Sequence, residues 1–239
     1  PAGPLPSPRA HSRSGYDVAN DRLIVFGGLD VGNARLNEVW VLVNAKGVAG
    51  TPSWVQLTPS GTLPTPRSLG VAVYDPTANR LIIHGGCAGL CGPLLNDTWV
   101  LTNANGLGGT PEWIQLPSGV ASTYQGAAYD AISNRLMVFG GLTGPSRGSV
   151  TNAVRVLVDA NGIGDPRWID LAPPEPLPSP RSLNQDLGYD PITNRLIVFG
   201  GLSGGTTEFN DTWVLTNANG LGGTPAWQPL NPTGAMPSD

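Results

Sequence analysis

The sequence predicts an all-β protein built as a β-propeller, a ring of four-stranded antiparallel sheets called blades. A unit of about 58 residues occurs four times, and a repeat of this length is one supersecondary unit of an array. Each copy contains four short apolar or alternating runs separated by Gly, Pro, Asn and Asp, and none of the runs has a helical period. Four strands per unit are typical of a propeller blade.

The first unit shows where the strands are expected. Its four runs lie near residues 12–18, 22–27, 37–43 and 53–57. The second run ends in a double glycine in every copy: Gly27-Gly28, Gly85-Gly86, Gly140-Gly141 and Gly200-Gly201. The link from Asp17 to Arg22 predicts a tight hairpin, because Asp and Asn side chains cap turns through their own backbone. Its Asp and Arg could also pair across the turn.

The repeat indicates one propeller domain over residues 1–239, with blades at about 1–58, 59–117, 118–172 and 173–231. Residues 232–238 repeat the register of residues 1–7, so 232–239 is expected to begin a further repeat or a linker. We therefore expect four blades that belong to a larger ring, completed by further sequence or by another copy of the chain. An isolated four-bladed ring is the alternative, since propellers close with roughly four to eight blades.

Aromatic residues recur at fixed positions of the unit. All seven tryptophans do so: Trp40, Trp54, Trp99, Trp113, Trp168, Trp213 and Trp227. The tyrosines that follow the first run do so as well: Tyr16, Tyr74, Tyr129 and Tyr189. Aromatic side chains at such positions bury large areas between neighbouring sheets, so we expect core packing rather than sugar stacking.

Composition narrows the classes of partner. Charged residues make up 13% of the chain and the net charge is -4, which argues against nucleic acid because that partner needs a basic surface. No apolar run approaches the roughly 18 residues of a membrane span. Lys46 is the only lysine, and a Lys-poor surface rich in Gly, Thr and Asn favours an exported protein, extracellular or at the cell surface.

The repeated motifs resemble the Kelch repeat. They are Arg-Leu-Ile-Val-Phe-Gly-Gly at residues 22–28, Asn-Asp-x-Trp at residues 96–99 and 210–213, and Trp-x-x-Leu in the fourth run of each unit. The resemblance extends over the whole chain and implies Kelch-type blades. The long Asn-Ala-Asn-Gly-Leu-Gly-Gly-Thr-Pro linker is similar to linkers in bacterial extracellular Kelch-like arrays.

The same resemblance suggests binding residues. In Kelch adaptors that recruit substrates to ubiquitin ligases, an Arg after Pro in the loop before the first strand can face the peptide-binding mouth. Arg9, Arg67 and Arg181 match that place, and the guanidinium fork suits carboxylates. The third unit has Ser122, Thr123 and Tyr124 there, so Tyr124 completes the candidate set. The alternative for each Arg is that it ties its loop to neighbouring backbone carbonyls.

Few residues in the chain indicate chemistry. Cys87 and Cys91 lie in one loop, where a local disulfide is favoured in an oxidising compartment and free thiols are the alternative. His11 and His84 are solitary and are expected to be structural. No Gly-x-Ser-x-Gly, His-Glu-x-x-His or phosphate-binding motif occurs, so we predict no catalytic residue, no cofactor and no metal site.

Two functional hypotheses follow. The first is a non-catalytic extracellular module that binds a protein or a glycan, or assembles, through loops that differ between blades: residues 29–36, 87–95, 142–151 and 202–209. The second is the propeller portion of a carbohydrate-acting enzyme of the oxidase, mutarotase or lyase type, because galactose oxidase and a sialic acid mutarotase use Kelch propellers. Self-association that completes the ring is a third possibility.

Overall fold

The computed structural model describes residues 3–89, 92–144, 149–182, 187–204 and 207–234, and the regular structure in these ranges is entirely β. The first sheet comprises β1 (Arg9–Ala10), β2 (Arg13–Asp17), β3 (Arg22–Asp30), β4 (Arg35–Val43) and β5 (Ser53–Leu57). The second comprises β6 (Val71–Asp75), β7 (Arg80–His84), β8 (Thr98–Leu101) and β9 (Trp113–Leu116). Within the described ranges no helix is long and apolar enough to cross a membrane.

The second half of the chain repeats this plan. A small sheet comprises β10 (Ser122–Thr123), β13 (Leu142–Thr143) and β14 (Ser149–Val150). The third large sheet comprises β11 (Gly126–Asp130), β12 (Arg135–Phe139), β15 (Val154–Val158) and β16 (Arg167–Leu171). The fourth comprises β17 (Gly188–Asp190), β18 (Arg195–Phe199), β19 (Thr212–Thr216) and β20 (Ala226–Leu230).

Each large sheet is an antiparallel meander, so the prediction of Kelch-type propeller blades is confirmed. The four strands expected in the first unit are present. Strands β3 and β4 continue beyond the double glycine through an irregularity between Phe26 and Gly28, and the short strand β1 was not expected. The hydrophobic alternation of residues 22–26 could not show this extension, because the pairing continues into the loop.

The core lies between successive blades. The first and second blades share one apolar cluster, in which Ile24 and Phe26 meet Leu81 and Trp113. The second and third blades share another, and the third and fourth a further one. The prediction that tryptophans pack between sheets is confirmed most clearly by Trp113, which is 3% exposed and lies with its ring centroid 5.3 Å from that of Phe26.

The innermost strands β2, β6, β11 and β17 line one cavity of about 500 Å³, with β6 next to β2, β11 next to β6 and β17 next to β11. The repeated tyrosines contribute to its wall, together with small residues such as Gly15 and Ala127. Their hydroxyl groups donate to an Asp or Asn five residues on, as Tyr74 does to Asn79 at 3.1 Å. The expected core packing is confirmed for Tyr74, Tyr129 and Tyr189, which pack against the apolar clusters between blades and also line this cavity.

Adjacent blades are also joined by a repeated exchange of hydrogen bonds. Arg22 Nη1 donates to the Asn105 carbonyl at 2.9 Å, and Asn105 Nδ2 donates back to Asp17 Oδ2 at 2.7 Å. The next blades repeat this exchange with the residues Arg80, Asn161 and Asp75, and then Arg135, Asn219 and Asp130. The ion pair considered across the hairpin is not formed by Asp17 and Arg22 in the described structure, because both side chains are used between blades.

Candidate binding face

Each blade begins with a segment that leads into its first inner strand, here called the rim segment: residues 7–11, 65–69, 120–124 and 179–182. Every rim segment pairs with the start of the variable loop of its own blade. Strand β1 pairs with the end of β3, and β10 pairs with β13. Isolated bridges join Ser68 to Cys87 and Ser182 to Leu202. The described parts of the rim segments and the variable loops therefore lie at the same end of their blades, and we call this side of the protein the rim face.

The predicted arginines lie in the rim segments, and their guanidinium groups point into the protein. Arg67 is 3% exposed. It donates through Nη1 and Nη2 to the two carboxylate oxygens of Asp97 at 2.7 and 2.6 Å. It also donates to the carbonyls of Gly85 and Thr65 at 3.2 and 3.0 Å. This fork joins the rim segment to the end of the second strand and the start of the third.

A tryptophan completes each of these arrangements. The Trp99 indole donates from Nε1 to Asp97 Oδ2 at 2.6 Å, so the carboxylate accepts from both Arg67 and Trp99. Equivalent sets consist of Arg9, Glu38 and Trp40, and of Arg181, Asp211 and Trp213. We call each set of Arg, carboxylate and Trp a rim clamp.

The electrostatics of the clamp favour the ion pair. Burial alone would raise the pKa of the Asp97 carboxyl, but hydrogen bonds from Arg67 and Trp99 outweigh burial and hold the pKa below its usual range. In the first blade, the hydrogen bond from Arg9 is the main cause that lowers the pKa of Glu38. Both carboxylates are therefore charged at neutral pH, which is the state that the clamp requires.

The third blade lacks all three members of the clamp. Ser122 stands in place of the arginine and Ala153 in place of the carboxylate. Arg155 occupies the tryptophan position and lies 3.0 Å from Asp170 of the neighbouring strand. The rim segment of this blade keeps the backbone pairing with its variable loop, through β10 and β13.

The contacts of the rim arginines agree with the alternative interpretation, in which each Arg holds its loop by hydrogen bonds to backbone carbonyls. Arg181 is fully buried, with Nη1 2.8 Å from the Gly200 carbonyl and its guanidinium carbon 4.3 Å from the centre of the Phe209 ring. The carboxylate partners of Arg9 and Arg181 are more exposed than that of Arg67, because Glu38 and Asp211 are 36% and 40% exposed. Contact of Arg9, Arg67 and Arg181 with a ligand stays a prediction, and it would have to compete with these internal partners.

Left-handed backbone at the rim marks further residues. His11, Leu69 and Tyr124 have φ angles of 55°, 61° and 55°. The amide of Leu69 donates to the His11 carbonyl at 3.4 Å, and that of Tyr124 to the Leu69 carbonyl at 3.2 Å. These three residues therefore connect successive blades at the rim. For residues other than Gly this backbone costs roughly 1 to 2 kcal/mol each.

Of these three, the sequence indicated only Tyr124 as a binding candidate. The usable signal was position, since His11 and Leu69 each lie two residues after a rim arginine. The structure brings Tyr124 next to Leu69, and Tyr124 is half-buried while His11 is exposed.

The cysteine and histidine predictions have different outcomes. Cys87 is buried with its Sγ 3.7 Å from Ser68 Oγ, and Cys91 lies outside the described residues, so their pairing stays a prediction. His84 is 2% exposed between the second and third blades. Its Nδ1 lies 3.0 Å from Thr98 Oγ1, and its ring is 4.6 Å from that of Trp168, as expected for a structural side chain.

Comparison with known proteins gives three informative similarities, although no family model matches the chain. Adagio protein 3 of Arabidopsis thaliana is 28% identical over 222 residues, which are 90% of this chain and 33% of that protein. An F-box/kelch-repeat protein of Arabidopsis thaliana is 31% identical over 98 residues, which are 41% of this chain and 20% of that protein. The similarity supports a Kelch-repeat family.

The third relative is dynein regulatory complex subunit 7 of Chlamydomonas reinhardtii. It is 38% identical over 88 residues, which are 36% of this chain and 7% of that protein. The chain thus spans a third or less of the length of the curated relatives it matches.

Proposed function

We propose that this protein is a non-catalytic interaction module that binds a protein partner at its rim face. The observation that carries the proposal is the convergence of the rim segments and variable loops of the blades on one face. The strands below follow one plan from blade to blade, while the loops differ in length and sequence. Function commonly resides on variable loops that a rigid scaffold holds in place.

Two structural features support a pre-organised surface. The rim clamps hold the rim segments of three blades by ion pairs in which the arginine side chain is buried. Left-handed backbone at His11, Leu69 and Tyr124 is a local strain that persists only when the surroundings over-determine it. A surface that is already ordered loses less entropy when a partner binds, so more of the contact energy appears as affinity.

A protein is the favoured class of partner. One similar protein is named as a subunit of a dynein regulatory complex, which supports a role in protein assembly. An extracellular or cell-surface location is part of the proposal, and its support is compositional: Lys46 is the only lysine, and charged residues make up 13% of the chain. A glycan is the second ligand class that this location would allow.

We expect Tyr124→Asn to weaken binding at the rim face. Asn tolerates left-handed backbone, so the substitution removes the aromatic ring without adding strain. Tyrosine is among the residue types that most often dominate binding at an interface, so a loss of about tenfold or more in affinity is expected. The probes are linear peptides selected on the wild-type chain from a display library and, separately, a panel of oligosaccharides. Affinity is measured by isothermal titration calorimetry.

Ile132→Asn is the matched control. Ile132 is 83% exposed in the hairpin between β11 and β12 of the same blade, away from the rim segments. Peptides that lose affinity with Tyr124→Asn but not with Ile132→Asn support the proposal. Equal effects of both substitutions, or selective binding of oligosaccharides alone, would contradict a protein-binding rim.

The proposed location predicts a redox state for the two cysteines. Protein recovered from an oxidising medium should show no thiol that reacts with iodoacetamide before reduction and two that react after it, measured by mass spectrometry of the denatured chain. The pairing of Cys87 with Cys91 would close a five-residue loop beside the rim. Two reactive thiols before reduction would instead favour the free-thiol alternative.

A further inference from the structure

The fourth blade has a face that no other blade covers within the described structure. Ile197 and Phe199 of β18 are 42% and 46% exposed. Their counterparts in the third blade, Met137 and Phe139, are fully buried against the fourth blade. Leu230 of β20 is also 46% exposed. We call the side of the fourth blade with Ile197, Phe199 and Leu230 the trailing face.

The first blade has the complementary face uncovered. Leu23 and Val25 of β3 are half-buried, whereas the corresponding Leu81 and Ile83 of the second blade are 0% and 1% exposed against the first blade. Trp40, at the position that Trp99 occupies in the second blade, is itself 5% exposed and adds nothing to the uncovered area. We call the side of the first blade with Leu23 and Val25 the leading face.

The three interfaces between described blades define what such faces contact. At each interface, the Arg that follows the hairpin between the first two inner strands, such as Arg22, donates to the carbonyl of an Asn in the next blade, such as Asn105. The side chain of that Asn donates back to the Asp that precedes the same hairpin, such as Asp17. The second Gly of the double glycine also donates to the next rim segment, as Gly28 does to the Arg67 carbonyl at 2.9 Å. These bonds accompany the burial of the apolar faces.

The trailing face carries the same groups without these partners. Arg195 is exposed and Asp190 is half-buried, whereas the corresponding Asp17, Asp75 and Asp130 are 1 to 3% exposed. No interblade hydrogen bond of the kinds above is formed by Arg195, Asp190 or the Gly201 amide among the described residues. The trailing face therefore has the apolar and polar groups that one side of an interblade contact requires.

The leading face supplies the complementary groups with one informative difference. The turn that carries Asn105, Asn161 and Asn219 in the later blades carries Lys46 in the first. The preceding residue, Ala45, is half-buried, whereas its counterparts Ala104, Ala160 and Ala218 are fully buried. The Lys46 ammonium group lies 5.8 Å from the centre of the Tyr16 ring. Lys46 occupies the position from which Asn105 donates to the hairpin carboxylate of the preceding blade, and the corresponding carboxylate of the trailing face is Asp190.

We propose that the trailing face of one copy of this chain docks on the leading face of a second copy, with Arg195 donating to the Lys46 carbonyl and the Lys46 ammonium group pairing with Asp190. This inference goes beyond the proposed binding function and does not depend on it. Two copies joined at both ends would form a closed ring of eight blades, within the range of roughly four to eight that propellers adopt. The charge complementarity between Lys46 and Asp190 favours a second copy as the occupant, because the first blade has a cationic side chain where the other blades have a neutral Asn.

The first test is the mass of the full chain in solution. We expect multi-angle light scattering to give twice the chain mass of 24.8 kDa. Phe199→Asp, which places a charge on the trailing face, should raise the dissociation constant by at least about tenfold. Ile132→Asp is the control, since Ile132 is 83% exposed outside both faces and its substitution should leave the dimer intact.

The second test asks whether Lys46 and Asp190 meet between chains. Lys46→Asp alone and Asp190→Lys alone should each weaken the dimer, because both create like-charge contacts at both interfaces. Mixing the two variants should restore a heterodimer, which native mass spectrometry distinguishes if one variant is isotopically labelled. Wild-type chain that is monomeric at high concentration, or a dimer unaffected by Phe199→Asp, would overturn the proposal. Failure of the mixed variants to restore the dimer would overturn the assigned Lys46–Asp190 contact.

Discussion

Arg67→Ala is expected to lower the free energy of unfolding by about 3 to 5 kcal/mol, the cost of breaking a buried ion pair by removing one partner. Arg67 and Asp97 have side chains that are 3% and 16% exposed. The substitution leaves the Asp97 carboxylate with only the Trp99 indole as a side-chain donor and removes the donors to two backbone carbonyls. Such a loss is a large fraction of the roughly 5 to 15 kcal/mol that stabilises a typical domain.

Urea denaturation at pH 7, followed by tryptophan fluorescence, measures this loss. Arg167→Ala is the matched control, because Arg167 and Asp165 form an ion pair with side chains that are 55% and 89% exposed. An exposed pair of this kind contributes about 0 to 1 kcal/mol. The double substitution Arg67→Met with Asp97→Leu should be less destabilising than Arg67→Ala, since it leaves no unpaired charge in the interior.

The same variant separates the two roles considered for the rim arginines. Equal stability of Arg67→Ala and Arg167→Ala, together with a loss of peptide binding in Arg67→Ala alone, would show that Arg67 serves a ligand. Because Arg67 is buried, we expect the opposite result: Arg67→Ala should lower stability, and it should weaken peptide binding only if the rim segment is displaced.

The architecture was accessible from the sequence because it depends on local periodicity that repeats. Each run of alternating or apolar residues becomes a strand, and the five tryptophans of the second to fourth blades lie between sheets. The contacts between blades were not accessible in the same way. Asn105 and Asp17 are 88 residues apart, and no local pattern indicates that they share a hydrogen bond.

The rim clamp did leave a signal in the sequence. The units with a rim arginine carry a carboxylate directly after the Asn of the Asn-x-x-Trp motif, as Asp97 does for Arg67. The third unit has Ser122 in place of the arginine and Ala153 in place of the carboxylate. Joint presence in three units and joint loss in one is what a direct contact produces. The left-handed backbone of His11 and Leu69 could not be predicted from the sequence, because neither residue type indicates a positive φ.

His84→Phe is expected to make the protein less sensitive to acid. Burial lowers the pKa of the His84 imidazole to about 4 from its ordinary value of 6.5, and the nearby Asp97 carboxylate offsets this only in part. The unfolded chain therefore binds a proton that the folded chain does not, so stability is lost as the pH falls from about 6.5 to about 4. A shift of this size corresponds to a loss of about 3 kcal/mol over that window.

Phenylalanine fits the position by the logic of the repeat, since Phe26 and Phe139 fill the corresponding sites against Trp113 and Trp227. Urea denaturation of both proteins at pH 7 and pH 4.5 should show a smaller decrease for His84→Phe, by about 2 to 3 kcal/mol. His11→Asn, at an exposed histidine with left-handed backbone, should keep the full wild-type decrease. Carboxyl groups such as Asp97 do not account for the difference, because their lowered pKa places their loss of stability below about pH 3.8. An unchanged decrease in His84→Phe would mean that acid acts elsewhere than at the interface of the second and third blades.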